Sequence, residues 1–298
     1  MDGLMKIYTD FAKSLPNDIT HNLDKTIDKL TSFKVGDFLI KELFESSVHL
    51  LNRKGKLLRP TLVFLGSHIL KEKSQKFIDL AMAIELLHVS SLVHDDIIDK
   101  EEFRRNIKSV NTKYGIETAI LAGDALISKA VELASPYGKD VIRAISDVSL
   151  QMCAGELLDY SCQKGNLIKD IDKYLKIARF KTASLIGTSC NIIAIHNKNN
   201  AKNALYNYGI NIGMAFQIRD DILDFIGEDS SKMSNSDMKG MNIVSVIKEK
   251  DKIPTKDALD KAAKLNQKYI DMAIKCIKDR NFSDILEPYA RMISINPS

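Results

Sequence analysis

Tryptophan is absent from the chain, and glycine and proline are scarce: fourteen and six among 298 residues, roughly half their usual joint share. Many short strands need many turns, and turns are built from Gly, Pro and Asn, so this scarcity excludes an all-β sandwich or barrel. Cysteine is limited to Cys153, Cys162, Cys190 and Cys276. They are too widely spaced for a Cys-x-x-Cys zinc pair or a disulfide framework, which suits a reduced cytoplasm. No apolar run approaches the ~20 residues of a membrane helix, so no transmembrane segment is expected. The start, Met1-Asp2-Gly3-Leu4-Met5-Lys6, lacks the basic and apolar segments of a secretory leader. A net charge of +4 is too small to argue for nucleic acid.

What is present favours helix. Hydrophobic residues make up 45% and charged residues 28%, a globular balance that excludes wholesale disorder. Residues 61–135 and 137–253 contain no proline and are rich in helix formers. From Phe77 to Asp99, the residues Ile84, Leu87, His88, Ser91, Leu92, Asp95 and Asp99 recur at i+3 and i+4, on one helical face. Ala204 to Ile226 reads the same way through Gly209, Gly213, Phe216, Gln217, Asp220 and Asp224. Breaks are expected at 135–138, 164–166, 196–200 and 227–240. None resembles an interdomain linker and no 20–50-residue repeat is present. The expectation is one all-α domain over residues 1–298.

Two segments carry the chemistry: His94-Asp95-Asp96-Ile97-Ile98-Asp99 and Arg219-Asp220-Asp221-Ile222-Leu223-Asp224. Both have the form Asp-Asp-x-x-Asp. On a helix the first and last carboxylates lie one turn apart, where like charges repel by a few tenths of a kcal/mol unless a cation intervenes. Mg²⁺ prefers hard oxygen ligands and takes one or two carboxylates with waters and substrate phosphates. A lone motif of this kind reads most simply as a solvated acidic face. Two copies in apolar surroundings, with basic residues elsewhere, favour metal-assisted handling of a diphosphate.

With these motifs the sequence resembles the trans-isoprenyl diphosphate synthases, or polyprenyl synthetases. The resemblance is carried by the run Glu85 to Asp99, by Gly213 to Asp224, and by Gly55-Lys56-Leu57-Leu58-Arg59-Pro60, Arg104-Arg105, Leu121-Ala122-Gly123-Asp124 and Lys181-Thr182, all in the family's order over about residues 54 to 245. It implies an all-α bundle around a deep central cavity, a homodimer, and head-to-tail (1′-4) condensation of isopentenyl diphosphate onto an allylic diphosphate (dimethylallyl, geranyl or farnesyl). It implies several Mg²⁺ ions held mainly by Asp95, Asp99 and Asp220, with Asp96, Asp221 and Asp224 supporting. Lys56, Arg59, His88 and Arg105 match the residues that hold isopentenyl diphosphate. Arg104, Lys181, Gln217 and Lys232 match those of the allylic side. The Thr182 hydroxyl, the Gln217 amide oxygen and the Lys181 carbonyl match the dipoles around the carbocation. The chemistry agrees: a departing diphosphate needs preorganised positive charge, and Arg and Lys supply it.

Simpler readings exist for single pieces. His88 alone on an apolar face would be a core histidine; its position two turns before Asp95 favours binding. Arg53-Lys54-Gly55-Lys56 alone would be a solvated patch, Phe216 is core, and Cys153, Cys162 and Cys190 are packing residues. The family pattern is broken in places. Leu57 stands where Arg is frequent, Asn106 where Gly is common, and Met241 where a second Lys is common. The usual glycines are missing around 231–235, and Met241 leaves the allylic-diphosphate side one cation short; a more mobile loop and slower turnover are expected. A terpene cyclase would lack the second acidic motif and the isopentenyl-binding cations, an inactive partner subunit would lack intact metal motifs, and a purely structural role would leave six carboxylates unexplained. The resemblance implies that the product runs down the helix carrying Asp95, with its first floor residues fourth and fifth before that Asp. The fourth and fifth residues before it, Ser91 and Ser90, are small and block nothing, and Leu87 lies one turn deeper. The expected product is geranylgeranyl diphosphate or longer.

Overall fold

The computed structural model describes residues 15–53, 55, 57–165, 170–230, 241–278 and 282–293. Among the described residues the fold is all-α apart from one short hairpin. In chain order the helices are α1 (Asn17–Thr31), α2 (Lys41–Val48), α3 (Leu58–Ile69) and α4 (Ile78–Ile98), then the hairpin strands β1 (Phe103–Arg104) and β2 (Ile107–Lys108). They continue as α5 (Val110–Tyr114), α6 (Ile116–Ala134), α7 (Lys139–Gln163), α8 (Ile171–Ile177), a π-helical turn over Ala178–Ala183, and α9 (Ser184–His196). Four more follow: α10 (Lys202–Ser230), α11 (Ile243–Asp251), α12 (Thr255–Ile277) and α13 (Ser283–Met292). The chain divides into two compact units, Met1–Ser146 with Ile192–Asn199, and Asp147–Asn191 with Asn200–Ser298.

The first unit is organised by α4. Its apolar residues are not confined to a stripe: Leu80, Ala81, Met82, Ala83, Ile84, Leu86, Leu87, Val89 and Val93 are all buried, as a helix that is hydrophobic all round requires. The segment Ser74–Ile98 is long and apolar enough to cross a membrane, which corrects the expectation that no run comes near that length. Some 72% of its apolar window is buried inside the protein, the situation of a core helix. The neighbouring α6 lies close because it turns small residues, Ala119, Ala122, Gly123 and Ala130, toward the core. Gly123 lies against the His94 ring, so a Cβ there would displace that side chain. Ser90 Oγ donates to the Gly123 carbonyl at 3.0 Å.

The second unit is organised by α10. Ile210, Met214, Ile218, Ile222 and Phe225 recur at i+4 and i+3 and pack with Ile243, Val246, Ile247, Ala258 and Ala262. The glycines at 209 and 213 are there for close approach: a Cβ at Gly213 would come within 2.5 Å of Ala183 Cα. Buried polar groups are paired across helices. Asn266 Nδ2 donates to the Ala215 carbonyl at 2.7 Å, Tyr208 to the Leu286 carbonyl at 2.7 Å, and Arg219 Nη1 to the Met292 carbonyl at 2.8 Å. The last contact sets a cation against the carboxyl end of α13, where the helix dipole favours it.

Helix α10 continues to Ser230, past the break expected from Gly227. The cysteines are all free; Cys162 and Cys190 are buried as packing residues, but Cys153 is exposed, which corrects that reading. The hairpin had no sequence warning. Its two central residues, Arg105 and Asn106, have φ of +52° and +61°, the signature of a type I′ turn. Asn tolerates this conformation better than other residues with a Cβ, which accounts for Asn106 in a position that favours Gly. Substituting Asn106→Val should lower the thermal unfolding midpoint through a penalty of about 1–2 kcal/mol, whereas Asn106→Gly should not lower it. A Val variant melting with the wild type would show that the turn is not held in this conformation.

Candidate active site

Two groups of functional side chains are built, one in each unit. In the first, Asp95 lies in the last turn of α4 and Asp99 follows its end, with the Asp99 N–H donating to the Asp95 carbonyl at 2.8 Å. Both residues are partly exposed. Asp96 faces the other way and is fully buried. Its Oδ1 accepts from Arg104 Nε at 2.7 Å and pairs with Arg104 Nη2 at 2.5 Å. Burial pushes the Asp96 carboxyl up, against the opposing pull of Arg104. The second oxygen, Oδ2, is buried and meets no hydrogen-bond donor among the described residues.

The hairpin turn then sends Arg105 into a cluster. Its Nη1 donates to the carbonyls of Leu50 at 3.1 Å and Arg53 at 2.9 Å, and Nη2 lies 4.0 Å from Glu85 Oε1. Gly55 lies so close that a Cβ would be 2.9 Å from that Nη2. Glu85 is buried, and burial raises its carboxyl while Arg59 and Arg105 oppose the rise. One turn on, His88 is held well below the usual histidine range, first by burial and then by Arg59, Arg105 and Arg104. The imidazole is therefore neutral at pH 7 and can accept a proton only at a cost. Arg59, His88, Arg104 and Arg105, assigned to the diphosphates, thus form one electropositive neighbourhood. Lys56 and Lys232 lie outside the described residues.

In the second unit the π-turn Ala178–Ala183 carries Lys181 and Thr182. Such turns re-aim side chains and concentrate at functional sites. Gly155 of α7 allows the turn to be approached closely, since a Cβ there would meet the Lys181 nitrogen. Lys181 Nζ is paired with Glu156 Oε2 at 2.5 Å and Asp159 Oδ2 at 3.2 Å. Thr182 Oγ1 donates to Gln217 Oε1 at 2.6 Å, and Gln217 Nε2 donates to Asp221 Oδ1 at 2.8 Å. Asp221 is buried, and burial raises its carboxyl to about 6. Asp220 is partly exposed and Asp224 exposed.

The partly open pairs Asp95 with Asp99 and Asp220 with Asp224 are hard oxygen donors one turn apart. Among the described residues no three His, Cys, Asp or Glu side chains form a protein-only metal cage. That combination fits Mg²⁺, which keeps waters and substrate phosphates in its shell, and fits neither zinc nor a closed calcium site.

For product length, Ser90 is buried against α6, Ser91 is partly exposed with its Oγ donating to the His88 carbonyl at 2.8 Å, and Leu87 is buried. Three residues escaped the sequence reading of the site: Glu85, Glu156 and Asp159. The latter two stand three apart on α7, but an i,i+3 acidic pair on a helix usually faces water. Met241, read as a missing cation, has its side chain in the core, and its N–H donates to Asp159 Oδ1 at 3.2 Å.

The family model for polyprenyl synthetase matches residues 40–276. A geranylgeranyl pyrophosphate synthase from Geoglobus acetivorans is 38% identical over 234 residues, covering 74% of this chain and 73% of its own length. A short chain isoprenyl diphosphate synthase from Methanothermobacter thermautotrophicus is 33% identical over 250 residues, covering 80% and 77%. The solved structure of the Geoglobus acetivorans geranylgeranyl pyrophosphate synthetase is similar with a TM-score of 0.82 at 30% identity, over 94% of this chain and 99% of that one.

The neutral His88 makes stability depend on pH. Its folded pKa lies below the unfolded value, so below about pH 6.5 the unfolded chain binds the extra proton and stability falls. Urea unfolding at pH 5.5 and 7 should show the wild type losing up to about 1.4 kcal/mol more than His88→Gln over that interval. Equal losses in the two proteins would mean that the fold does not lower the His88 pKa.

Proposed function

Since the chain belongs to the polyprenyl synthetase family, we propose that it is an Mg²⁺-dependent all-trans prenyl diphosphate synthase, joining isopentenyl diphosphate head-to-tail (1′-4) to an allylic diphosphate. The observation that carries this reading is the pairing of each acidic motif, inside its own unit, with a different set of partners. Asp95 and Asp99 accompany an arginine and histidine cluster suited to a polyanion. Asp220 accompanies the Lys181, Thr182 and Gln217 array, which offers one cation and weak dipoles.

In this reading Arg59, His88 and Arg105, with Lys56, hold isopentenyl diphosphate. Arginine forks match phosphate oxygens, and Glu85 keeps the Arg105 guanidinium in place. Arg104, Lys181, Gln217 and Lys232 serve the allylic diphosphate. Asp95, Asp99, Asp220 and Asp224 would hold Mg²⁺, which would supply charge neutralisation for the leaving diphosphate. Thr182 and Gln217 present oxygen dipoles to the allylic cation, and neither is a nucleophile strong enough to be alkylated. The reaction uses both motifs, so residues 1–298 are proposed as one catalytic domain. A homodimer is proposed on the exposed apolar side chains Ile116, Ile120 and Leu121 of α6 and Leu150 and Leu157 of α7, together with the family resemblance. A cytoplasmic setting is proposed on the free cysteines.

With Mg²⁺ in excess, Asp95→Ala and Asp220→Ala should each lower kcat by about 10²–10³ in an assay of labelled isopentenyl diphosphate consumption. Near-wild-type turnover of either variant would sink the metal assignment. Product length is proposed as geranylgeranyl or longer, because Ser91 leaves the first turn below Asp95 open. A helix turn descends about 5.4 Å, close to one isoprene unit of roughly 5 Å. Chromatography of dephosphorylated products should show chains of twenty carbons or more, and Ser91→Phe should shorten them while isopentenyl diphosphate is still consumed. Wild-type product ending at fifteen carbons would refute the argument.

A further inference from the structure

The three carboxylates of the second acidic motif do not share one environment. Asp220 is partly exposed and Asp224 exposed, but Asp221 is only 6% exposed and both of its oxygens are already accepting. Oδ1 takes the Gln217 Nε2 hydrogen at 2.8 Å and Oδ2 takes the backbone N–H of Ile243 at 2.9 Å. The Asp221 carbonyl accepts from Asn242 Nδ2 at 2.8 Å, while Asn242 Oδ1 caps α11 by accepting from the Val244 N–H at 2.9 Å. We propose that Asp221 is a positioning residue and not a metal ligand: it sets which way round the Gln217 amide faces, and through Gln217 it commits the hydroxyl proton of Thr182. The proposal rests on the prenyltransferase reading of the site.

The reason is the donor and acceptor inventory. A glutamine amide has a donor end and an acceptor end, and an ionised carboxylate only accepts. Gln217 must therefore turn its NH₂ toward Asp221, which leaves Oε1 facing the π-turn. That oxygen takes the Thr182 O–H at 2.6 Å. With its proton spent there, Thr182 shows only lone pairs to the rest of its surroundings. An allylic cation beside it meets the negative end of a fixed dipole and no acidic hydrogen, which is electrostatic preorganisation in a small form. Turning Asp221 toward a dication would take an acceptor away from Gln217 or from the buried Ile243 N–H, and a buried donor without a partner is costly. The outer carboxylates carry no such obligation to Gln217 or Ile243.

The test compares Asp221→Asn, Asp220→Asn, Gln217→Ala and the double variant Asp221→Asn with Gln217→Ala, all in the full chain. Calorimetric titration of Mg²⁺ in the presence of inorganic diphosphate reads metal binding without turnover. Steady-state kinetics with farnesyl and isopentenyl diphosphates at saturating Mg²⁺ read catalysis. Asp220→Asn should weaken Mg²⁺ binding about tenfold or more. Asp221→Asn should change it less than about twofold and instead lower kcat about 10–100-fold. Because Asp221 acts through Gln217, the double variant should be no slower than Gln217→Ala. A metal affinity that falls in Asp221→Asn as it does in Asp220→Asn overturns the proposal, and so do losses that multiply in the double variant. If circular dichroism shows Asp221→Asn unfolded, the wild type answers by NMR of the Gln217 side-chain amide. Its bonded hydrogen should keep its shift when Mg²⁺ and diphosphate are added, and a large displacement overturns the proposal. Wild-type protein that consumes no isopentenyl diphosphate would instead defeat the prenyltransferase reading, while the titrations would still decide whether Asp221 binds metal.

Discussion

Three carboxylates within five residues repel one another, and the arrangement of each unit depends on where the middle one goes. In the first unit Asp96 turns inward and meets Arg104. That pair ties the hairpin to the end of α4, and the next residue, Arg105, is thereby delivered to the carbonyls of Leu50 and Arg53 and to Glu85. In the second unit Asp221 turns inward and meets Gln217 and the Ile243 N–H. Leaving a buried polar group without its partner is costly, so these contacts constrain the local geometry. The outer carboxylates, relieved of the middle charge, stay on the open side of their helices.

The second constraint is distance between backbones. Polar side chains reach one another across helices only if the helices can come close, and small residues permit that. Gly155 lies against the Lys181 backbone, Gly213 against Ala183, and Gly123 under the His94 ring. Two of the three contacts are on the π-turn, the element that carries Lys181 and Thr182. A wider turn takes one more residue than an α-turn and re-aims the side chains it carries. Lys181 can then meet Glu156 and Asp159 while Thr182 meets Gln217.

Departures from the family pattern also acquire physical reasons. Asn106 occupies a left-handed position that Asn bears more easily than other side chains. Met241 puts its side chain into the core and gives its N–H to Asp159, so its position is used for packing and for fixing a buried carboxylate. Leu57 is left-handed as well, with φ of +48° at the start of α3, and nothing in the structure explains why leucine is found there.

The sequence by itself determined the helical class, the extents of α4 and α10 to within a few residues, the two acidic motifs and the family. All of these are local properties: apolar residues at i+3 and i+4, few chain breakers, and short charged patterns are read within one or two turns. Tertiary structure alone decided which aspartate of each motif is buried, since a carboxylate's partner comes from elsewhere in the chain, Arg104 from a hairpin and Ile243 from another helix. It also decided the π-turn, which depends on Gly155 and Gly213 admitting neighbours, and the neutral His88, which depends on burial beside three arginines distant in sequence. Long-range pairing and desolvation leave no periodic trace along the chain, and for that reason they became legible only in the folded protein.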